Sequence, residues 1–107
     1  MPCKLTVVDY GVGNILNVKR AIEFHGSAVD VATEPSGVLK ARRLVLPGVG
    51  AFAGAMDSMT RMGLVDPVIE AARSGVPVLG ICLGMQLLMT RGYEFGSKDG
   101  LNLIEGE

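Results

Sequence analysis

The sequence contains few of the residues that mark disulfide-rich or metal-binding proteins. It has one histidine, two cysteines and no tryptophan among its 107 residues. Cys3 and Cys82 are too few for a disulfide framework, and a reducing compartment would keep them as thiols. No cysteine and histidine stand at the spacing of metal ligands, so we expect no metal site.

Neither charge sign is in excess, and long apolar runs are missing. Ten basic and eleven acidic residues leave a formal net charge of -1, without a Lys/Arg block of the kind that binds nucleic acid or anionic lipid. No apolar run reaches the roughly 18 residues of a membrane span, and Asp9 interrupts the stretch where a signal peptide needs an apolar core. We therefore predict a cytoplasmic protein that binds neither nucleic acid nor membranes.

Apolar residues, at 49% of the chain, suffice for one core. Runs rich in Val and Leu predict strands over residues 5–8, 28–32, 43–46 and 76–81. Apolar spacings of three and four predict helices over 14–23, 52–62, 66–75 and from 85 onward, with Asp66 as the N-cap of the third. Residues 35–41 and 93–100 are predicted as a connector and a loop. Near-continuous apolar strands are typical of covered parallel sheets, so we predict one domain, 1–107, with an α/β fold, an open, mainly parallel sheet and helices on both faces.

The turn around Cys82 has the form of a nucleophile elbow. In such a turn, small residues two before and two after the nucleophile let a strand and a helix approach closely while the nucleophile is forced outward. Gly80 and Gly84 occupy these positions. A helix that begins here would also aim free backbone N–H groups at the cysteine, which favours the thiolate. The alternative is a buried core cysteine flanked by glycines by chance, but the strand-then-helix context favours the nucleophile.

Two further segments follow predicted strands, and in open α/β sheets ligands bind beyond the carboxyl ends of strands. The run PGVG at 47–50 fits equally well a loop that needs glycine conformations and a turn whose N–H groups bind an oxyanion, with Leu83 as the second donor. The run DYGVGN at 9–14 lacks the third glycine of a dinucleotide site, because position 16 is Leu. From chemistry alone, Asp9 and Tyr10 are ordinary strand-end residues.

Gln86 and His25 are the remaining polar candidates. Gln86 lies one helical turn after Cys82, so its amide can face the same cleft, although an exposed helix glutamine is the simpler interpretation. His25 immediately precedes Gly26, which is predicted to end a helix. We interpret this histidine as a solvated helix-end residue and not as a catalytic base.

Three segments together resemble one family. The run GICLGMQ at residues 80–86 resembles the nucleophile motif of class I, triad-type glutamine amidotransferases. The runs LPGVGAF at 46–52 and DYGVGN at 9–14 are similar to the narrower group of glutamine amidotransferase subunits of imidazole glycerol phosphate synthases, which belong to histidine biosynthesis. The resemblance implies a flavodoxin-like class I amidotransferase fold and no cofactor.

The resemblance also implies roles for individual residues. Cys82 would attack the side-chain amide of glutamine, giving a γ-glutamyl thioester and ammonia, and water would then release glutamate. Backbone N–H groups at Val49 and Leu83 match the oxyanion donors of the family. Gly50 and Gln86 match positions that hold the substrate glutamine.

A partner is implied as well. In the family the ammonia passes to a cyclase subunit, a (β/α)8 barrel, which forms imidazole glycerol phosphate. Tyr10, Gly11 and Asn14 match the edge that faces this barrel, and we expect them to contact it.

The chain departs from the family pattern in one respect. Family members complete the triad with a histidine and a glutamate well downstream of the cysteine, whereas the single histidine here precedes Cys82. We therefore expect these residues to be the N-terminal half of one amidotransferase domain, inactive as a glutaminase on their own. Two alternatives remain: a non-catalytic interaction module, and a cysteine-elbow α/β hydrolase of the dienelactone-hydrolase type.

Overall fold

A four-stranded parallel sheet lies at the centre of the protein, for which a computed structural model describes residues 4–12, 14–93 and 96–107. The strands are β1 (Lys4–Val8), β2 (Ala28–Ala32), β3 (Leu44–Leu46) and β4 (Val78–Gly80), in the order β2-β1-β3-β4. All three neighbouring pairs are parallel. The predicted α/β fold with an open parallel sheet is confirmed. Cys3 and Gly13 lie outside the described residues.

Within the described residues, five helices and a small hairpin connect or follow the strands. The helices are α1 (Ile15–Phe24), α2 (Pro35–Leu39), α3 (Phe52–Arg61), α4 (Val65–Arg73) and α5 (Leu83–Leu87), and the hairpin pairs β5 (Arg91–Gly92) with β6 (Lys98–Asp99). The predictions of a connector over 35–41 and a loop over 93–100 were therefore incomplete. Helix α2 and both hairpin strands are too short to show a period in the sequence.

The ends of α1 agree with the sequence prediction, whereas the start of α4 does not. The Asn14 side chain caps α1 by accepting a hydrogen bond from the Asn17 N–H at 3.3 Å, and Gly26 follows the helix with a φ of 93°. The predicted N-cap at Asp66 was wrong, because Leu64 already has helical dihedral angles and α4 begins at Val65. Asp66 instead lies in the first turn, where a negative charge suits the helix dipole.

The two faces of the sheet are covered unequally. One face contributes Val8, Leu44 and Leu46 to the main hydrophobic core, which also contains the buried residues of α2 to α5, including Val38, Met59, Leu64, Val68 and Leu87. The other face packs toward α1, which has no fully buried residue. Leu79 in β4, on this second face, is 59% exposed. In the part of the chain that the structure describes, no helix has both the length and the apolarity needed to cross a membrane.

This asymmetry gives a stability prediction for two leucines in neighbouring strands. Leu44 is 1% exposed, so Leu44→Ala should lower the free energy of unfolding by about 2–5 kcal/mol through lost burial and a residual cavity. Leu79→Ala removes the same atoms from a mainly solvated position and should cost less than about 1 kcal/mol. Urea unfolding of both variants measures the difference. Equal losses would contradict the unequal cover of the two faces.

Candidate active site

The segments that follow β1, β3 and β4 meet at one edge of the sheet. These three strands are neighbours and run in the same direction, so their carboxyl ends lie side by side. The Ile81 N–H donates to the Leu46 carbonyl at 2.9 Å, which places the Cys82 turn beside the loop after β3. The Tyr10 hydroxyl donates to the Pro47 carbonyl and so joins the segment after β1 to the same loop.

The backbone at Cys82 is strained. Its φ of 55° and ψ of -121° place it in a region that residues with a side chain rarely adopt. Among the described residues, Asn102 is the other non-glycine residue with a positive φ, and asparagine tolerates such angles well. Strain of this kind costs on the order of 1–3 kcal/mol and concentrates at functional sites. The turn presents the Cys82 thiol at the surface.

Both glycines that flank Cys82 are required by close packing. A β carbon on Gly80 would lie 2.7 Å from the Met85 Cα, and one on Gly84 would overlap the Leu46 carbonyl oxygen. Strand β4, helix α5 and the end of β3 therefore approach as closely as backbones can. The predicted tight turn from strand to helix is present, and the role of Cys82 as a nucleophile stays a prediction.

A cavity of about 350 Å³ opens at this edge. It brings together all five residues predicted for catalysis, the oxyanion and substrate binding, together with two that were not predicted; its lining consists of Gly48, Val49, Gly50, Cys82, Leu83, Met85 and Gln86. The side chains of Cys82 and Gln86 are both exposed here. The placement agrees with the predicted arrangement, and the roles of these residues are proposals developed below.

The N–H groups at the start of α5 are not free, contrary to our expectation. The Leu83 N–H donates to the Gly48 carbonyl at 3.2 Å, and the Gly84 N–H donates to the Ile81 carbonyl at 2.9 Å. The elbow is so tight that neighbouring carbonyl groups reach the donors of the first turn. In this conformation, the site therefore offers no free donor at Leu83.

Tyr10 is buried, which corrects its predicted place at a partner surface. Its side chain is 0% exposed, its hydroxyl donates to the Pro47 carbonyl, and its own carbonyl accepts a hydrogen bond from the Ser58 hydroxyl. Burial raises the pKa of Tyr10 to about 12, so the phenol remains a neutral donor at physiological pH. Gly11 and Asn14, by contrast, are exposed beyond the end of β1.

Sequence reasoning gave no individual role to Gly48, which it noted only as part of the PGVG run, and it missed Ser58. Gly48 lines the cavity, and a β carbon there would overlap the Tyr10 hydroxyl, so the loop needs glycine at this position. Ser58 is 9% exposed and lies on the buried side of α3 between Ala55 and Met59. A hydroxyl on an otherwise apolar helix stripe was the available signal, because a buried hydroxyl needs a partner.

His25 lies far from the site in the topology of the sheet. It is the C-cap of α1 and precedes β2, which places it at the amino ends of the strands, whereas Cys82 follows the carboxyl end of β4. Among residues 4–12, 14–93 and 96–107, no group of three potential metal ligands comes together. The described part of the chain thus provides a cysteine without a histidine beside it.

Known proteins resemble this chain in sequence over almost its whole length. The sequence model of the family described as "Glutamine amidotransferase class-I" matches residues 6–98. "Imidazole glycerol phosphate synthase subunit HisH 1" of Legionella pneumophila (strain Paris) is 48% identical over 103 residues, covering 96% of this chain and 48% of the relative. "Imidazole glycerol phosphate synthase subunit HisH" of Wolinella succinogenes is 48% identical over 101 residues, with 94% and 49% covered. The chain spans about half the length of these curated relatives.

Two solved structures share the fold at low sequence identity. A putative peptidase E protein from Listeria monocytogenes EGD-e matches with a TM-score of 0.77 and 17% identity, over 95% of this chain and 63% of that protein. A crystal structure of a glutamine amidotransferase matches with a TM-score of 0.76 and 17% identity, over 94% and 52%. These likenesses support the α/β architecture alone.

The family match covers residues 6–98, which is most of the chain. The chain therefore belongs to the class I glutamine amidotransferase family. Within that family its sequence is HisH-like, as the segments at 9–14 and 46–52 predicted.

The elbow packing predicts opposite effects for two glycine-to-alanine substitutions. Gly84→Ala should destabilise the chain by about 3 kcal/mol or more, because the new β carbon meets the rigid Leu46 carbonyl. Gly54→Ala is the matched control: it lies in α3 with nothing within 4 Å of the new β carbon, and it should stabilise the helix by about 0.5–1 kcal/mol. Thermal unfolding followed by circular dichroism compares the two. A stable Gly84→Ala variant would refute the close approach.

Tyr10 should make stability fall at high pH. Burial raises the pKa of Tyr10 from 10.0 to about 12, so its contribution is complete below pH 10 and is lost as the pH rises toward 12. This difference corresponds to roughly 3 kcal/mol. Urea unfolding of the wild-type chain and of Tyr10→Phe should show their stabilities converging over this range. A constant difference between the two would contradict a buried, neutral phenol.

Proposed function

We propose that this chain forms the N-terminal, nucleophile-bearing half of a glutaminase that hydrolyses glutamine to glutamate and ammonia. The observation that carries the proposal is the strained Cys82 elbow, which opens into one cavity with the loop 48–50 and with Gln86. Acyl transfer from an amide needs a nucleophile, N–H donors for an oxyanion and a polar group that binds the substrate. The Cys82 thiol, the backbone of loop 48–50 and the Gln86 side chain suit these three tasks. Membership of the amidotransferase family agrees with this chemistry.

In the proposed reaction, Cys82 is the nucleophile. Its thiolate sulfur attacks the side-chain amide carbon of glutamine and forms a tetrahedral intermediate whose oxygen carries the negative charge. The carbon–nitrogen bond then breaks, and the nitrogen leaves as ammonia after accepting a proton. Water attacks the resulting γ-glutamyl thioester, which releases glutamate and restores the thiol.

The oxyanion needs donors, and the backbone suggests how two become available together. The Gly48 carbonyl, which occupies the Leu83 N–H, belongs to the same planar peptide group as the Val49 N–H and points in the opposite direction. Turning this one peptide would move the carbonyl away from Leu83 and bring the Val49 N–H toward the cavity. We propose Val49 and Leu83 as the oxyanion donors in that turned state.

We assign glutamine recognition to Gln86 and Gly50, because both line the cavity beside Cys82. The Gln86 amide can both donate and accept hydrogen bonds, as an amino-acid substrate requires. Gly50 has a φ of 103° and open space at its β position, so its backbone leaves room for a substrate against the loop.

The ammonia would pass to a cyclase subunit, a (β/α)8 barrel that forms imidazole glycerol phosphate in histidine biosynthesis. Support comes from the HisH-like sequence, since the relatives carry the name of an imidazole glycerol phosphate synthase subunit. Gly11 and Asn14 are exposed beyond β1, and we retain them as cyclase contacts. The buried Tyr10 side chain is not one of them.

These 107 residues should not turn over glutamine alone. The proton transfers at the thiol and at the leaving nitrogen are worth typically 10²–10⁴-fold each, and the single histidine lies at the opposite edge of the sheet. Glutamine turnover by the purified chain that Cys82→Ala abolishes would contradict this expectation. The measurement is ammonia release in a coupled assay.

Labelling with diazo-oxo-norleucine tests for a formed glutamine site. This glutamine analogue should alkylate Cys82 at least about tenfold faster than Cys3, because cavity contacts worth about 1.4 kcal/mol or more orient it. Peptide mass spectrometry locates the adduct, and free glutamine should slow the reaction. Gln86→Leu should reduce the preference of this analogue for Cys82 over Cys3. Iodoacetamide needs no glutamine contacts, so it should label Cys82 equally in the wild-type chain and in Gln86→Leu. Equal labelling of both cysteines would instead support a non-catalytic interaction module.

A further inference from the structure

The Tyr10 side chain ties two loops of the site together. It has no exposed surface, and its hydroxyl donates to the Pro47 carbonyl. The Tyr10 carbonyl is held in turn by the hydroxyl of the buried Ser58. Both ends of the residue are therefore fixed, one by the loop after β3 and one by helix α3.

The hydroxyl acts next to the peptide that must turn. The Pro47 carbonyl belongs to the peptide group immediately before the Gly48–Val49 peptide, whose carbonyl blocks the Leu83 N–H. Only glycine fits at position 48, because a β carbon there would overlap the Tyr10 hydroxyl and lie 3.1 Å from the Leu83 Cβ. One peptide is thus held while the next has glycine's freedom to rotate.

We propose that Tyr10 is a positioning residue of the glutaminase site: its hydroxyl fixes the Pro47 carbonyl, so that rearrangement of the loop is confined to the Gly48–Val49 peptide. Tyr10 does not line the cavity at Cys82, and in this proposal it acts through the backbone. The inference rests on the proposed function only where it gives the Val49 and Leu83 N–H groups an oxyanion to bind. The coupling between the Tyr10 hydroxyl and the loop does not depend on a ligand.

The burial of Tyr10 supports the hydrogen bond from its hydroxyl to the Pro47 carbonyl. A tyrosine hydroxyl in a wholly buried position needs a partner, and the Pro47 carbonyl provides it. No buried side-chain nitrogen or oxygen of the described residues lacks a partner, so the network around Tyr10 is complete. Removing the hydroxyl leaves the Pro47 carbonyl without its partner and the loop without its anchor.

Hydrogen exchange of the 107-residue chain tests the coupling directly. Tyr10→Phe should accelerate exchange of the Leu83 amide, which donates to the Gly48 carbonyl of this loop, about three- to tenfold more than it accelerates exchange in α1 and α4. The comparison with α1 and α4 separates the loop effect from the loss of global stability that removing a buried hydroxyl causes. An equal acceleration at Leu83 and in these helices, or no acceleration at Leu83, would overturn the proposal.

Two further variants act as controls. Tyr93→Phe makes the same chemical change at the other tyrosine, which is 54% exposed and donates to Glu107, and it should leave the loop unaffected. Ser58→Ala releases the Tyr10 carbonyl without touching the loop and should accelerate exchange of the Leu83 amide by a smaller factor. Acceleration by Tyr93→Phe equal to that by Tyr10→Phe would contradict a specific role for Tyr10.

Labelling kinetics connect the anchor to the site. In the reaction with diazo-oxo-norleucine the thiol sulfur bonds to the diazo carbon, which takes up the thiol proton, and dinitrogen leaves. Tyr10→Phe should lower the maximal labelling rate at Cys82 about three- to tenfold, leave the half-saturating concentration within about twofold, and leave iodoacetamide labelling unchanged. A change confined to half-saturation would overturn the positioning role. If the wild-type chain itself is not labelled, the proposed glutaminase function fails while the exchange experiment still decides the role of Tyr10.

Discussion

At Gly84 the backbone of α5 lies against the carbonyl oxygen of Leu46 so closely that no side chain fits between them. Because β4 must turn into α5 within this space, Cys82, the residue immediately before the helix, takes a positive φ. The same closeness brings the Gly48 carbonyl to the Leu83 N–H. Exposure of the thiol, strain at its backbone and occupation of the nearest donor thus have one common origin.

Features with a local signal could be predicted from the sequence. The strand and helix periods predicted the parallel sheet, and the glycines around Cys82 predicted the elbow, because each feature is written in neighbouring residues. The burial of Tyr10 and the engagement of the Leu83 N–H depend on contacts between residues distant in sequence. No local pattern encodes such contacts. Helix α2 was missed for a different reason: its five residues are too few to show a helical period.

Family membership and site geometry supply different parts of the interpretation. The family match identifies the class of chemistry, and the relatives are about twice as long as this chain. The geometry shows what the present residues contribute: an exposed cysteine at a strained turn, a glycine-containing loop and a polar side chain, which line one cavity. It also places His25 at the amino ends of the strands, so in the part of the chain that the structure describes no histidine lies beside Cys82.

The strained angles at Cys82 set stability against function at a single position. Glycine adopts a φ of 55° without the steric conflict that a β carbon creates, so it would relieve the turn of strain on the order of 1–3 kcal/mol. Folding stability alone would therefore favour glycine at this position, and the thiol is present at a cost in stability. A member of this family that did not need the thiol could gain stability by replacing the cysteine of the elbow with glycine.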